Sequence, residues 1–331
     1  MSLLIEKTGL LSTVQDAGRS GYRRFGINPN GAMDRAALRL LNALLGNADN
    51  EAAVEMHFPA PEILFEEETV FAIGGADFRA VLDERPLENW RVYPAETGSR
   101  LKFTAKASGN RSYLAVRGGF QLDRWLGSAS TNLTAEIGGF HGRPLKKDDR
   151  LFFNQNPKAK DQKSKTKTQT PAVNISPRLL PFYSSFPTVR IIRGAEFDLL
   201  TALSERDFLT ENFTVTKDSN RMGYRLEGRP LFLLEKRELV STAVDFGTIQ
   251  LLPDGQLIVL MADHQTTGGY PRLGSVISTD LPLLAQLGAG DRVGFHPVEP
   301  EEAESLALEF EKDLNFLRIG SKFAFNRCER K

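Results

Sequence analysis

The sequence predicts a mainly β protein with a few helices, divided into two domains. Its 331 residues are too many for one ordinary hydrophobic core and suit about two domains of roughly 100–200 residues each. Short apolar or alternating runs are separated by Gly, Asp, Pro and Asn at the spacing of a β-rich sandwich or barrel. A faint internal repeat, described below, indicates that the two halves are related.

The first half contains strand-like runs and one clear helix. The helix is predicted over Asp34–Leu45, because Asp34 suits the N-cap, Gly46 suits the C′ position, and leucines and alanines form an apolar stripe between them. The predicted strands are Ile63–Phe65, Val70–Ile73, Arg79–Leu82, Leu101–Phe103, Tyr113–Val116 and Leu151–Phe153.

The second half repeats this mixture of short strands and helices. Helices are predicted to start at Glu196–Leu203, to cover Leu281–Leu287, and to cover about Glu301–Arg318 after Pro300, which suits a first helical turn. The predicted strands are Val189–Ile192, Leu231–Leu233, Thr248–Leu251 and Leu257–Met261.

The internal repeat joins a Gly-Gly-aromatic turn to a later Asp-Arg turn that opens a strand. In the first half Gly138–Phe140 precedes Asp149 and Arg150, and in the second half Gly268–Tyr270 precedes Asp291 and Arg292. Although the gaps differ in length, two related β-rich domains would explain the correspondence.

A change in composition predicts the domain boundary. Asn156–Pro171 contains five lysines and no large apolar residue, so it has nothing to bury and should be an exposed linker. The predicted organisation is an N-terminal β-barrel domain over 1–155, a Lys-rich linker over 156–185, a C-terminal β-barrel domain over 186–298, and a helix with a tail over 299–331.

Charge and cysteine content exclude several classes of protein. Lys and Arg number 42 and Asp and Glu number 42, so the zero net charge argues against broad nucleic-acid binding and against a membrane-surface protein. The only cysteine, Cys328, cannot form an internal disulfide or a metal site by itself. Neither a signal peptide nor a membrane span is evident, since the longest apolar stretch is Leu257–Ala262, and a cytoplasmic location is expected.

Several common catalytic motifs are missing from the sequence. There is no GxxxxGK[ST] P-loop, no strand–GxGxxG–helix fingerprint for a dinucleotide and no GxSxG nucleophile elbow. The four histidines are scattered without the spacing of a helical zinc site, so no metal site is predicted.

The remaining signal is a series of polar, glycine-rich clusters at apparent strand ends. Glycine lets a ligand approach the backbone closely, and an arginine beside such a turn can hold a carboxylate with two parallel hydrogen bonds. The alternative interpretation, that these are turn residues of a compact β fold, is about equally good. The clusters are Thr13–Arg19, Gly74–Asp77, Arg117–Gly119, Leu126–Thr131, Asn220–Tyr224 and Asp263–Arg272.

Taken in order, these segments resemble the carboxyltransferase-domain family, also called allophanate hydrolase subunit 2. The resemblance runs from about Gly9 to Phe295. Its matching segments are Thr13–Asn47, Tyr113–Phe120, Leu126–Leu133, Gly138–Leu151, Ser219–Gly228 and Ala262–Phe295. The Lys-rich linker departs from the family in composition but lies between the motifs.

The resemblance implies two cyclophilin-like β-barrel domains and a partner protein. Members of the family work beside a subunit-1 relative, which in 5-oxoprolinase is the B subunit, and the A subunit of that enzyme is expected as well. The favoured activity is that of the C subunit of an ATP-dependent 5-oxoprolinase, which opens 5-oxo-L-proline to L-glutamate in a complex. ATP is then needed in the complex, at a site that the sequence does not locate.

For that reaction, the candidate residues take three roles. Asp16, Asp77 and Asp263 are candidate proton acceptors. An arginine would anchor the substrate carboxylate, and backbone N–H groups of the Gly-Gly pairs would stabilise the oxyanion. The candidate substrate-binding residues are Gln15, Arg19, Gly74, Gly75, Arg221, Gln265, Thr266, Thr267, Gly268, Gly269, Tyr270 and Arg272.

Two alternatives stay open within the family. One is a biotin-dependent carboxyltransferase that moves CO₂ to urea or another amide; it would need biotin on a partner carrier, because the chain has no Met-Lys biotin-attachment pair. The other is a non-enzymatic antagonist that sequesters a kinase-inhibitor protein related to subunit 1. All three hypotheses expect a protein partner, and the two enzymatic ones a small lactam or amide substrate.

Overall fold

The structure is a computed structural model that describes residues 1–154, 170–171, 173, 175–235 and 239–328. Of the Lys-rich segment Asn156–Pro171, all but the last two residues lie outside the described residues. Contacts between Cα atoms divide the chain into two compact units. Unit 1 comprises Met1–Gly18, Arg35–Leu180 and Glu311–Lys331, and unit 2 comprises Arg19–Asp34 and Pro181–Phe310.

Unit 1 is built from two antiparallel sheets. The six-stranded sheet has the order β11-β1-β4-β9-β6-β7, and the five-stranded sheet has the order β2-β3-β10-β5-β8. The strands are β1 (Ser2–Lys7), β2 (Ser12–Gln15), β3 (Ala53–Met56), β4 (Glu62–Phe65), β5 (Thr69–Asp77), β6 (Ala80–Leu82), β7 (Arg85–Pro86), β8 (Val92–Ala95), β9 (Arg100–Phe103), β10 (Ser108–Val116) and β11 (Arg150–Phe152).

Apolar side chains of both sheets form one core in unit 1. Leu3 and Ile5 of β1 alternate inward, as a strand with one buried face requires, and they share the core with Phe71 and Ile73 of β5. Helix α1 (Arg35–Leu45) is followed by Gly46, whose φ of +68° is the left-handed conformation of a helix C′ residue.

An irregularity in the ladder between β5 and β10 explains one of the glycines. The register shifts between Ser108, which pairs with Asp77, and Ser112, which pairs with Gly75, so that β10 has a bulge next to Gly75. Gly75 has a φ of +77°, and a Cβ atom there would lie 2.5 Å from the backbone oxygen of Arg111. The bulge therefore requires glycine at position 75.

Unit 2 is a closed seven-stranded barrel with the order β12-β19-β16-β17-β14-β13-β20. β12 and β20 close it as a parallel pair, whereas the other neighbours are antiparallel. The barrel strands are β12 (Thr188–Arg193), β13 (Phe213–Val215), β14 (Gly223–Glu227), β16 (Thr248–Leu251), β17 (Leu257–Leu260), β19 (Arg272–Val276) and β20 (Arg292–Pro297). A separate two-stranded sheet pairs β15 (Thr242–Ala243) with β18 (Thr267–Gly268).

Alternation along the barrel strands decides which side chains face the core. Ile249 and Leu251 of β16 join the apolar core of unit 2, and so do Leu257 and Val259 of β17. The residue between the first two, Gln250, therefore points to the outer face of the barrel. Helices α2 (Ala202–Thr210) and α3 (Leu281–Ala285) belong to the same unit.

Two segments of the chain belong to a different unit from their neighbours in sequence. Arg19–Asp34 is part of unit 2, since Met33 is fully buried in the barrel's apolar core. The last helix, α4 (Pro300–Cys328), contributes its residues from Glu311 onward to unit 1. There Glu311 accepts a hydrogen bond of 2.7 Å from Nη2 of Arg39, and the Arg117 guanidinium lies 3.5 Å from the ring centre of Phe325. The domains predicted from the sequence were continuous ranges, whereas both units are built from separate segments of the chain.

The mainly β fold class with a few helices is confirmed. The helix predicted over Asp34–Leu45 is present as α1, but the last helix continues ten residues beyond Arg318, to Cys328. Leu231–Leu233 is not a strand, since only Leu233 forms an isolated bridge, to Leu200. Among the described residues, no helix is both long and apolar enough to cross a membrane.

The internal repeat has a partial structural counterpart. Asp149 accepts a 2.7 Å hydrogen bond from the backbone N–H of Lys146, and Asp291 accepts one of 2.8 Å from that of Gly288. Both aspartates thus close a turn three residues back, immediately before β11 and β20. The glycine pairs differ, because Gly138 and Gly139 have positive φ angles whereas Gly268 is part of a strand.

Replacing Gly75 by alanine should destabilise unit 1 by about 3 kcal/mol or more, because the new Cβ would meet a backbone oxygen in addition to the strain of a positive φ. Gly98→Ala is the matched control, since Gly98 has a φ of +88° but nothing within 4 Å of its Cβ position, and should cost only about 1–2 kcal/mol. Both tryptophans, Trp90 and Trp125, lie in unit 1, so urea unfolding followed by tryptophan fluorescence measures the effect. Equal losses for the two variants would show that the bulge does not restrict position 75.

Candidate functional site

The structure distributes the residues singled out in the sequence over both units. Unit 1 contains Gln15, Asp16, Gly74, Gly75 and Asp77. Unit 2 contains Arg19, Arg221, Asp263, Gln265, Thr266, Thr267, Gly268, Gly269, Tyr270 and Arg272. Each group is described within its own unit.

Asp16 is the centre of a buried hydrogen-bond cluster in unit 1. Its Oδ1 accepts from the hydroxyls of Ser128 and Ser130, at 2.6 Å each, and from the backbone N–H of Gly18 at 2.8 Å. Its Oδ2 accepts from the backbone N–H of Ala129 at 2.7 Å, and Arg124 lies 3.4 Å away. A carboxylate that already accepts this many hydrogen bonds has little remaining capacity to take a proton from a substrate. The cluster favours a positioning role for Asp16, which fastens the loop Ser128–Ser130.

The other candidates of unit 1 lie in or beside the five-stranded sheet. Gln15 is fully buried and donates to Thr13 at 3.0 Å and to the carbonyl of Thr131 at 3.2 Å. Gly74 is covered by the indole of Trp90, which leaves no room for a Cβ atom. Asp77, at the end of β5, is more exposed and accepts a 2.8 Å hydrogen bond from the backbone N–H of Arg79.

In unit 2, three of the predicted residues meet in one buried network. Arg221 donates two hydrogen bonds to Asp263, of 2.8 Å to Oδ2 and 3.0 Å to Oδ1. Asn30 donates to the same Oδ1 at 2.8 Å and accepts from Arg19 at 2.9 Å. The carboxylate of Asp263 thus accepts hydrogen bonds at both oxygens, which offset the cost of burying its charge. The network ties Arg19–Asp34 to the barrel of unit 2.

Arg272 is held by Glu196 in a bidentate ion pair. The distances are 3.0 Å from Nε and 2.8 Å from Nη2 to the two carboxylate oxygens, and the backbone N–H of Arg272 donates to the same carboxylate. The hydrogen bond from Arg272 lowers the pKa of Glu196 below its ordinary value. The guanidinium is therefore already committed to a partner within the chain.

A pocket of about 480 Å³ opens on the outer face of the unit 2 barrel. Its floor follows from the ladder register, because directly paired residues of antiparallel strands share a face. Arg225 of β14 pairs with Ile258 of β17, which pairs with Gln250 of β16. The lining residues are Asp218, Asn220, Met222, Gly223, Arg225, Gln250, Leu252, Pro253, Asp254, Ile258, Gln265 and Tyr270. We call this the barrel-face pocket.

The barrel-face pocket combines an apolar wall with polar groups of both charges. Met222, Leu252 and Ile258 supply apolar surface, and Tyr270 is 44% exposed at the rim. Arg225 supplies the positive charge, and within the described part of the chain its guanidinium makes no ion pair. Asp218 and Asp254 supply two carboxylates. A few polar groups around an apolar wall are typical of a small-molecule site.

Gln250 is the most unusual residue of this pocket. Its side chain is 0% exposed, yet within the described residues neither Oε1 nor Nε2 has a hydrogen-bond partner. Gly268 of β18 leaves the space for it, since a Cβ atom at position 268 would lie 2.6 Å from Nε2 of Gln250. Arg272 is the ladder neighbour of Gln250 on the other side, with its guanidinium held by Glu196.

The structure thus brings Gln265 and Tyr270 to the barrel-face pocket and places Gly268 against the side chain of Gln250. Thr266, Thr267 and Gly269 lie next to these residues along the chain. The pocket also contains Arg225 and Gln250, which are not among the candidates from the sequence. Arg225 lies within the matching segment Ser219–Gly228, on the alternate positions that face outward. Gln250 is a single amide in the otherwise apolar end of a strand, and that interruption was the available signal.

Comparison with known proteins identifies the family. The model of the "Carboxyltransferase domain, subdomain A and B" family matches residues 25–297. The chain belongs to this family. The resemblance stated from the sequence is therefore confirmed.

Two curated relatives match almost the whole chain. The C subunit of 5-oxoprolinase from Haemophilus influenzae is 37% identical over 307 residues, which cover 93% of this chain and 94% of that protein. The protein of the same name from Escherichia coli K12 is 38% identical and covers 91% of this chain and 93% of that protein. Among solved structures, the Kluyveromyces lactis urea carboxylase has a TM-score of 0.87 at 28% identity; the match covers 97% of this chain but 29% of the larger enzyme.

Asp16→Asn should lower the free energy of unfolding of unit 1 by about 2–4 kcal/mol, because the amide nitrogen would face donors instead of accepting from them. Asp77→Asn is the control: that carboxylate accepts one backbone hydrogen bond and is half-exposed, so the loss should be at most about 1 kcal/mol. Urea unfolding followed by tryptophan fluorescence measures both. If Asp16→Asn keeps full stability but abolishes turnover, Asp16 is instead a proton acceptor in the reaction.

Arg272→Met should destabilise unit 2 at pH 7 by about 1–2 kcal/mol, since Glu196 would lose its partner. The pKa of Glu196 is lowered in the folded chain, so the contribution of the pair is present above the ordinary glutamate pKa of about 4.5 and is lost as the pH falls through the lowered value. The difference between wild type and variant should therefore shrink below pH 4.5.

Thermal unfolding followed by circular dichroism between pH 7 and pH 3 checks this dependence. Arg193→Met is the control for the pH dependence. Its exposed pair with Glu205, 3.5 Å apart, should contribute little, and its contact with the Phe197 ring does not titrate, so the effect of this variant should stay the same from pH 7 to pH 3. An Arg272→Met variant of unchanged stability whose complex has a raised KM would instead assign Arg272 to substrate binding.

Proposed function

We propose that this chain is the C subunit of an ATP-dependent 5-oxoprolinase, which opens 5-oxo-L-proline to L-glutamate. The observation that carries the proposal is the identity of 37–38% to two proteins named as the C subunit of 5-oxoprolinase, spread over more than nine tenths of both chains in each comparison. The matched lengths mean that no large part of those two proteins lacks a counterpart in this chain.

The chemistry of the reaction sets what a site must supply. Opening the ring adds one water across the C–N bond of the lactam, and ATP is hydrolysed to ADP and phosphate. A lactam is a poor electrophile, because its nitrogen lone pair is delocalised into the carbonyl group. The protein must anchor the substrate carboxylate, stabilise charge on the lactam oxygen and accept a proton from water.

The barrel-face pocket is the part of the described chain that best meets these needs, and we assign the substrate to it. Arg225 is the carboxylate anchor that we assign, since Arg221 and Arg272 are engaged with Asp263 and Glu196. Asp218 and Asp254 are carboxylates of the same pocket that can accept a proton. Met222 and Ile258 offer apolar surface to the ring carbons.

Partner chains complete the proposed enzyme. The designation of the two relatives as C subunits implies an assembly of several different chains. We propose partners equivalent to the B subunit, which is the subunit-1 relative, and to the A subunit of 5-oxoprolinase. ATP is needed in that assembly, and this sequence, which has no P-loop, does not locate its site. The contribution of this chain is then to bind and orient the lactam.

A biotin-dependent carboxyltransferase is the second candidate function. The structural likeness to a urea carboxylase, with a TM-score of 0.87 over 97% of this chain, favours it. That function would require a biotin carboxylase and a biotin carrier on other chains. Its measurable signature is biotin-dependent CO₂ transfer to an amide without 5-oxoproline-dependent ADP release.

Arg225→Met should raise the KM of the reconstituted complex for 5-oxo-L-proline by about tenfold or more, because one charge-assisted hydrogen-bonded pair with the substrate carboxylate is lost. Release of ADP that depends on 5-oxoproline is the measurement. Arg292→Met, which removes an exposed arginine of the same barrel outside the pocket, is the control and should leave KM unchanged.

Two outcomes contradict the proposals differently. If the wild-type complex shows no 5-oxoproline-dependent ADP release but transfers CO₂ in a biotin-dependent way, the proposed reaction is wrong. If the reaction occurs and Arg225→Met has the wild-type KM, the reaction stands and the assignment of the substrate to the barrel-face pocket is wrong.

A further inference from the structure

Helix α4 (Pro300–Cys328) has large apolar side chains on two opposite faces. On one face its buried residues follow one another at intervals of three and four; they are Leu314, Leu317, Ser321 and Phe325. On the other face Phe316 is 64% exposed, Ile319 54% and Phe323 72%, at the same spacing. Leu308, which is also exposed, extends this second line by two turns toward the start of the helix. We call Leu308, Phe316, Ile319 and Phe323 the outer stripe.

The outer stripe is an interaction surface that this sequence does not cover by itself. Single exposed apolar residues are ordinary, but a continuous line of large ones marks a site of association. The stripe runs about 23 Å along the helix axis, at a rise of about 1.5 Å per residue. The residues of the sequence outside the described part include no large apolar side chain, so they have nothing to pack against it. The stripe therefore needs a surface from another molecule.

The charges of α4 indicate which molecule that is. The exposed acidic residues are confined to the first ten positions of the helix and are Glu301, Glu302, Glu304 and Glu309. Residues 314–328 contain no Asp or Glu, and the exposed Lys322 and Arg327 lie among them. Two copies of this helix side by side would oppose like charges if parallel, but acidic and basic ends if antiparallel. In the antiparallel arrangement α4 is thus complementary in charge to itself.

We propose that two copies of this chain associate through antiparallel α4 helices with their outer stripes in contact. A two-fold axis at Phe316 presents the same surface on both sides, as a closed dimer requires. Lys322 lies six residues after Phe316 and Glu309 seven residues before it, so the two come to the same level in opposite copies. Arg327 and Glu304 correspond in the same way, eleven residues after and twelve before. The apolar contact is then flanked by ion pairs between the copies.

The exposed lysine in line with the outer stripe fits the same axis. Lys312 lies four residues before Phe316, and Gly320 lies four residues after it. Each Lys312 therefore meets the glycine of the other copy, whose Cβ position has nothing within 4 Å. The lysine stem can lie along the partner helix there while the ammonium group stays in water. The pairing thus buries no unpaired charge.

Sedimentation velocity of the full chain tests the association. A contact made by one helix pair is smaller than a standard interface, so the wild-type chain should dimerise with a Kd of about 10–100 µM. Because ion pairs flank the contact, added salt should weaken the dimer. A chain that is still monomeric at about ten times the upper value of this range overturns the proposal.

A substitution at the axis tests the surface. Phe316→Lys places two like charges at the centre of the contact and should raise the Kd of the dimer about tenfold or more. Leu203→Lys is the matched control, because Leu203 is a 57% exposed leucine of another helix, α2, and its loss should leave the Kd unchanged. Both side chains are exposed, so circular dichroism should show an unaltered fold. A dimer that Phe316→Lys does not weaken uses another surface, and the proposal is then wrong.

Charge reversal tests the orientation of the two helices. Glu309→Lys and Lys322→Glu should each raise the Kd about threefold or more, since each turns an attraction between copies into a repulsion. The double variant should return to the wild-type Kd, because the pair forms again with its signs exchanged. Parallel helices would instead oppose each residue to its own counterpart, so single reversals without effect would contradict the antiparallel arrangement.

A different occupant of the outer stripe is the remaining outcome. If the chain stays monomeric and Phe316→Lys prevents its binding to the proposed B-type subunit, that subunit covers the stripe and self-association is wrong. The association does not depend on the reaction that we propose. Loss of the dimer with intact 5-oxoproline-dependent ADP release would overturn this inference alone, and a Phe316-dependent dimer without that activity would overturn only the proposed function.

Discussion

Closure of the seven-stranded barrel in unit 2 fixes the positions of the pocket side chains. The antiparallel ladders place Arg225, Ile258, Gln250 and Arg272 in one row across β14, β17, β16 and β19. Because the side-chain period of a strand is two, a one-residue slip of any of these strands would turn its part of the row toward the apolar core. The core around Ile249 opposes such a slip, so the packing of the interior determines the chemistry of the outer face.

Pairing of buried charges separates the polar residues of the chain into two groups. Asp16, Asp263 and Glu196 are each surrounded by donors at short distance, and each fastens one segment to another within its unit. Such groups stabilise a fold because a buried charge without partners is costly. Arg225 is different, since it lines the barrel-face pocket and its guanidinium makes no ion pair with the described residues. A ligand gains most where the protein itself has left donors and acceptors unpaired.

Sequence patterns predicted what depends on local order. Helix α1 was evident from Asp34, its leucine stripe and Gly46, and the paired turns at Asp149 and Asp291 followed from short motifs. The exchange of Arg19–Asp34 into unit 2 depends on Met33 and Asn30 meeting residues more than 150 positions away, so no local pattern shows it. The arginines beside glycine turns could be recognised from the local sequence alone. Only the fold shows that two of them, Arg221 and Arg272, are already paired with Asp263 and Glu196.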